Sequence, residues 1–414
     1  MRKTAWLFWL GFLGVFPAQA GESAGITLPP GFHAQIFADN LGRVRHIAVR
    51  DDGVVYAALR QKTEEGGIRA LRDRDGDGKA DDIVAFGDVE GTGLAIAGAY
   101  LYFGADDKVL RFRFAGDALI PSGAAEVIVA GFPEQRQHAA KSLALDGQGG
   151  LYVNVGAPSN ACQEQMRTRG SPGLKPCPQL VRQAGIWRFD AQKPGQTQAD
   201  GKRYVSGIRN AVALDWNRDV GALYFVQHGR DQLSSLWPDY FDDADNAEKP
   251  AEEFHRAVPG GDYGWPYSYY DPVIKARMAA PEYGGDGKTR AAPGAAPEPL
   301  IAFPAHWAPN DLLFYEGTQF PAGWRGGAFI AFHGSWNRAP LPQAGYNVVF
   351  VPMKDGVASG PWQVFADGFK GADPLTSSGE AAYRPMGLGQ APDGALYIAD
   401  SVKGRIWRVT YEGK

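Results

Sequence analysis

The chain reads as an all-β protein, specifically a six-bladed β-propeller. Three observations predict this. Apolar residues recur with period two in short runs bounded by Gly, Asp, Asn and Pro, and amphipathic stretches at helical spacing are scarce. One unit, a turn followed by a short apolar strand ending in a small or polar residue, recurs six times. Finally, the chain is longer than one hydrophobic core usually organises, which favours a repeat architecture in which each blade packs only on its neighbours.

The six copies begin at Gly53, Ala99, Gly150, Ala222, Ala328 and Ala395, as in Gly150-Leu151-Tyr152-Val153-Asn154-Val155 and Ala395-Leu396-Tyr397-Ile398-Ala399. Several are followed by a second strand that alternates apolar and basic residues: Val109 to Phe114, Ile186 to Phe189 and Ile406 to Val409. The early strand Phe32 to Phe37 lies far from the others in sequence. It is predicted to join Ile406 to Val409 in one blade, closing the ring and covering its edges.

Arg2 and Lys3, the apolar run Ala5 to Phe16 and Ala18-Gln19-Ala20 form a signal-peptide pattern. Residues 1–20 are therefore expected to be removed and 21–414 to form one propeller domain, exported, and periplasmic if the source is Gram-negative. The apolar run is short for a membrane span, and no later segment is apolar enough for one. Formal charge is −4, and about −6 without Arg2 and Lys3, which argues against nucleic acid as a partner. Segment 239–307, rich in Pro, Gly, Tyr and Asp, reads as an insertion over the functional face.

The two cysteines, Cys162 and Cys177, lie downstream of the export signal and are expected to pair. Closing a loop of roughly 15 residues contributes about 3 kcal/mol in the chain-entropy account. Asp73, Asp75, Asp77, Lys79 (through its carbonyl) and Asp81 stand at positions 1, 3, 5, 7 and 9 of a calcium-loop pattern, with Gly78 at position 6. Val84 replaces the bidentate Glu of position 12, so the alternatives are a structural Ca²⁺ loop between strands and a plain acidic turn.

Polar segments cluster on loops beside the repeated strands, which in a propeller meet at one end of the central channel. They are Gln137-His138, Gly207-Ile208-Arg209-Asn210, His228-Gly229-Arg230-Asp231, Gly260-Gly261-Asp262-Tyr263-Gly264-Trp265-Pro266, His333-Gly334-Ser335-Trp336-Asn337-Arg338 and Tyr383-Arg384. Several Arg at one site suit an anionic planar ligand bearing carboxylates, and a His at the same end can act as a base near neutral pH. The absence of Cys-x-x-Cys-His excludes covalent c-type haem.

Together these motifs resemble the soluble glucose/sorbosone dehydrogenase family, quinoproteins that use pyrroloquinoline quinone, and most of all its sorbosone and pyranose dehydrogenase branch. The similarity runs over nearly the whole mature chain. The resemblance implies Ca²⁺ and pyrroloquinoline quinone as cofactors. It implies an aldose, sugar-derived aldehyde or related polyol as substrate, and an external electron acceptor, a cytochrome c or a quinone. His138 matches the family's general base, which takes the hydroxyl proton as hydride passes to the quinone. Arg209 and Asn210 match the pair at the quinone and substrate, the carbonyls of Gly229 and Arg230 match the Ca²⁺ ligands, and Arg384 matches a binder of a cofactor carboxylate. Arg338, with His333 nearby, is the candidate for a cationic role filled by Lys in the glucose branch. Two departures stand out. Ala157 occupies the place of an Asp that orients the base, and Ala382 that of an Arg. The competing classes are a calcium-dependent lactonase, using metal-bound water, and a non-catalytic binding propeller.

Overall fold

The computed structural model describes residues 21–413, so the predicted signal peptide lies outside the described residues. Six sheets are arranged as the blades of a propeller. The six repeated units are the second strands of the six blades: Val55–Thr63, Tyr100–Ala105, Gly150–Val155, Ala222–Gln227, Gly327–Phe332 and Leu396–Asp400. Most of these are buried end to end. A second strand is covered by a neighbouring blade on each face, and this favours a continuous apolar run over strict alternation.

Each pair of adjacent blades shares its own apolar cluster. Between blades 4 and 5, for instance, Tyr224, Phe254 and Phe303 meet Leu312, Ile330 and Phe332. The first strands, Val44–Val49, Gly91–Ala97, Leu143–Leu145, Ala213–Asn217, Pro309–Phe314 and Pro385–Gln390, touch one another in a closed cycle and so line the axis. Buried carboxyl groups stitch this inner ring. Asp215 accepts the N–H of Phe314 at 2.9 Å and Asp311 accepts that of Leu388 at 2.8 Å, linking blade 4 to 5 and blade 5 to 6. Burial raises Asp215 to about 7 and Asp311 well above the carboxylate range.

The ring closes as expected. Phe32–Ala38 pairs antiparallel with Ile406–Tyr411, in a register that sets Phe32 opposite Tyr411 and Ile36 opposite Trp407. Segment 239–307 differs from the expectation, because it is not wholly an insertion. Glu252–Arg256 and Ile301–Phe303 are the third and fourth strands of blade 4. What remains is a short helix, Asp243–Glu248, and a hairpin, Ser268–Asp271 with Ala276–Ala279.

Cys162 and Cys177 form the expected disulfide, with Cα atoms 6.2 Å apart. The Leu174 N–H also donates to the Cys162 carbonyl at 2.9 Å, so the loop is partly closed without the covalent bond. Replacing both cysteines by Ser is therefore expected to cost about 2 kcal/mol, at the low end for a loop of this length, read as a lower urea midpoint.

The acidic loop lies between two strands of blade 1, Gly66–Arg72 and Asp82–Phe86, with no flanking helix. Asp73, Asp75 and Asp81 bring carboxylate oxygens within 4.8 Å of one another. Asp77 is outside that group and accepts the Lys79 N–H at 2.8 Å. Both oxygens of Asp73 accept loop N–H groups, from Gly76 at 2.7 Å and Gly78 at 2.8 Å.

Candidate active site

The N-terminal ends of the first strands and the C-terminal ends of the second strands share one face of the ring. They enclose a cavity of about 350 Å³, within the range of small-ligand sites. His138, Arg209, Asn210, Gly229, His333 and Arg384 all line it, so loops of several blades converge there as the sequence predicts.

His138 sits just before the first strand of blade 3 with φ +52°, a left-handed conformation uncommon for a residue with a Cβ. Its Nδ1–H donates to the carbonyl of Ala157 at 2.6 Å. A carbonyl can only accept, so the neutral ring carries its proton on Nδ1 and leaves Nε2 as the free base. The Ala157 carbonyl thus fixes the tautomer and orientation of the ring, where the side chain of this residue offers no acceptor. Burial, followed by the Arg209 guanidinium, lowers His138 to about 3, so the ring is neutral at physiological pH.

Arg209 is buried and clamped. Its Nη2 donates to Asp231 Oδ2 at 2.6 Å and to Asn160 Oδ1 at 3.1 Å. Asp231 also receives Arg167 at 3.1 Å, reached from the disulfide loop. Burial acts to raise Asp231, but Arg209, His306 and Arg167 outweigh it and hold the carboxylate at about 2. Asn210 accepts from Asn154 Nδ2 at 3.0 Å and lies 3.2 Å from His228 Nδ1. His228 Nε2 donates to the Pro309 carbonyl at 2.9 Å, so its Nδ1 accepts from the Asn210 amide and fixes which way that amide faces.

The carbonyls of Gly229 and Arg230 accept no hydrogen bond among the described residues. The Gly229 N–H is held by Glu252 Oε2 at 2.8 Å, and the other oxygen of Glu252 takes the Ala308 N–H at 3.1 Å. Free carbonyls beside buried carboxylates suit a hard divalent cation. The Arg230 side chain points elsewhere, into an ion pair with buried Glu282.

Arg384 donates from Nε to the His333 carbonyl at 2.9 Å and from Nη2 to the Gly334 carbonyl at 2.8 Å. His333 Nε2 meets the Ser401 hydroxyl at 2.7 Å. Arg338 is not brought to the cavity. Its guanidinium binds Glu248 and the Ala247 carbonyl, each at 2.6 Å, tying the 333–338 loop to helix Asp243–Glu248. The role expected of it at the cofactor therefore has no geometric support, whereas His333 and exposed Trp336, from the same motif, do line the cavity.

Sequence reasoning missed Arg45, Arg60, Glu252 and Asn310 as cavity residues and left His228, Asp231 and His306 without a role. Asp231 directly follows Gly229-Arg230 and was legible by position. Arg45 and Asn310 were not, because they sit in first strands whose polar residues face the axis.

A family model described as TrAA12-like matches residues 26–412, nearly all of the described chain. The chain belongs to the TrAA12-like family. Among solved structures this TrAA12-like chain superposes on a Trichoderma reesei carbohydrate-active enzyme of family AA12 with a TM-score of 0.76 at 18% identity, over 98% of this chain and 100% of that one. For the holo form of the pyranose dehydrogenase PQQ domain from Coprinopsis cinerea the TM-score is 0.73 at 18% identity, over 93% and 97% of the two chains. For the apo soluble aldose sugar dehydrogenase of Escherichia coli it is 0.58 at 17% identity, over 92% and 100%. At these identities the likeness is one of fold. In sequence, the pyrroloquinoline quinone-dependent pyranose dehydrogenase of Coprinopsis cinerea is 28% identical over 232 residues, 49% of this chain and 30% of that protein. A protein of Borreliella burgdorferi is 27% identical over 207 residues, 50% of this chain and 48% of that protein. The TrAA12-like chain thus covers less than half the length of the curated relatives it matches. Among the described residues no helix is long and apolar enough to cross a membrane.

Proposed function

We propose that the protein is a pyrroloquinoline quinone-dependent dehydrogenase of a sugar, sugar-derived aldehyde or related polyol. The observation that carries this reading is the pairing, in one cavity, of a neutral imidazole whose Nε2 is free with a floor rich in guanidinium groups. Such a site accepts a proton from a hydroxyl on one side and holds a polycarboxylate on the other. The names of the pyranose and aldose dehydrogenase relatives support it.

Arg384 and Arg209 would hold the cofactor. The free carbonyls of Gly229 and Arg230 would hold Ca²⁺, with Glu252 holding the Gly229 N–H. When bound, the quinone supplies a hydride acceptor polarised by the cation. His138 Nε2 takes the proton of the substrate hydroxyl, Ala157 keeps the ring's tautomer, and His228 keeps the Asn210 amide facing one way. The acceptor of the electrons is external and the mature protein exported, in keeping with the leader pattern at residues 1–20. A lactonase would need several free carboxylate or amide ligands converging on a metal. Here Asp231 is clamped by two arginines and Glu252 by two N–H groups.

The test is reconstitution of the mature protein with pyrroloquinoline quinone and Ca²⁺, followed by dye reduction with a panel of aldoses, aldehydes and polyols. Saturable cofactor binding with turnover is expected, and failure to bind the quinone would sink the proposal. Omitting Ca²⁺ is expected to abolish turnover, with recovery on adding it back. Because His138 stays neutral down to about 3, the base form is lost only as pH falls through that value. The acid limb of kcat/KM is then expected below about pH 5, not near the ordinary imidazole value of about 6.5.

A further inference from the structure

His138 stands on a stretch of chain with no regular structure of its own. Residues 131–142, between the fourth strand of blade 2, Ser122–Ala130, and the first strand of blade 3, belong to no strand or helix. A non-glycine residue in the left-handed region, as His138 is at φ +52°, persists only where its surroundings over-determine it. Here a side chain does so. Gln135 Nε2 lies 2.8 Å from the Gln137 carbonyl oxygen and 3.0 Å from each of the His138 and Gly156 carbonyl oxygens. Carbonyls only accept, so this end of the amide is the NH₂ group and the other end is the oxygen. Gln183 agrees with that sense, its Nε2 donating to Gln135 Oε1 at 2.8 Å. The Gln183 backbone is fixed in turn, its N–H donating to the Gln179 carbonyl at 3.0 Å in the turn that follows Cys177. Gly156 directly precedes Ala157, whose carbonyl takes the His138 Nδ1–H. One amide therefore holds both the backbone of the imidazole and the chain that carries its acceptor.

We propose that Gln135, oriented by Gln183, is a positioning residue that sets the His138 ring against the Ala157 carbonyl and so keeps Nε2 available to the cavity. The inference rests on the reading of His138 as the base. Gln135 does not itself line the cavity, so it acts through His138 and not on a bound molecule. A leucine of similar size would fill the space but donate nothing, leaving three carbonyls without this donor. The released loop would let the ring part from Ala157 and meet water, undoing the burial that lowers His138 to about 3. The charged and titratable groups that face the ring, Arg209, His228 and Asp231, are untouched by such a change.

The experiment compares wild type with Gln135→Leu and Gln183→Leu by two readouts. The first needs neither quinone nor substrate. Diethyl pyrocarbonate reacts with the neutral imidazole, and peptide mapping of the labelled, cofactor-free protein gives the rate at His138 against pH. In wild type that rate is expected to stay level down to about pH 5, whereas in Gln135→Leu it is expected to fall through the ordinary imidazole value of about 6.5. Gln183→Leu leaves the Gln135 amide free to flip and is expected to lie between the two. The second readout is turnover of the reconstituted enzyme. Gln135→Leu is expected to lose about tenfold to 10² in kcat with KM little changed, and its acid limb to move up in pH with the labelling profile. A glutamine of purely structural importance would lower the urea midpoint and leave the labelling profile as in wild type. A wild-type labelling profile in Gln135→Leu overturns the proposal, whatever happens to stability or turnover. Should Gln135→Leu not fold, Gln183→Leu decides by the same criterion. If wild type does not bind the quinone, the proposed function fails, while the labelling profile still reads the positioning of His138.

Discussion

His138→Gln is expected to lower kcat by about 10² to 10⁴, the range general-base catalysis contributes, while quinone affinity changes little. The glutamine amide can still reach toward the Ala157 carbonyl, but it offers no basic nitrogen where Nε2 stood. The substrate hydroxyl would then have to lose its proton to water in a cavity whose other polar groups are mostly committed to each other. Single-turnover reduction of the bound quinone, monitored by absorbance, separates this loss from slow product release. A variant that retains full single-turnover rates would remove His138 from the mechanism.

Gly156→Ala is expected to cost about 10² in kcat without unfolding the protein, the scale set by misplacing a reacting group by about an ångström. A Cβ at this position would stand 2.6 Å from His138 Cβ, 2.8 Å from Asn210 Oδ1 and 2.9 Å from the His138 carbonyl oxygen. These atoms belong to the base and to the amide beside Arg209, so relief of the clash moves both. The backbone of Gly156 is not left-handed, so the effect is one of space rather than of conformation. The expected signature is a loss of kcat with a native circular dichroism spectrum and a urea midpoint lowered by the overpacking cost of about 1–3 kcal/mol. Wild-type kcat in this variant would mean that relief of the clash leaves the His138 ring and the Asn210 amide in place.

The parts of the fold that were legible in the sequence are those buried on both faces. Leu151 to Val155 or Leu396 to Ala399 face neighbouring blades above and below, so every residue but Asn154 is apolar and the run announces itself. Blade 4 was harder. Its third strand, Glu252-Glu253-Phe254-His255-Arg256, is buried yet mostly ionisable, because Glu253 pairs with Arg277 and His255 while Glu252 binds two N–H groups. With no apolar alternation it reads as loop. The same reasoning explains the arginines. Motif position led to Arg209 and Arg384, which follow recognisable loops, and misdirected attention to Arg338, whose side chain turns toward Glu248. Arg45 is one of two polar residues in an otherwise apolar inner strand, and only the ring geometry shows what it faces.

The sheet shared by Phe32–Ala38 and Ile406–Tyr411 brings the two flanks of the propeller together, with the Glu412 N–H bonded to the Gly31 carbonyl at 3.1 Å. Topologically, the described chain is then a loop cut at one arbitrary place. Joining residue 412 to residue 21 through a linker, so that Ile26 and Leu28 stay in the core, and opening the chain at a turn on the face opposite the cavity, such as Asn217 to Gly221, should give a rearranged protein with every blade and the whole site intact.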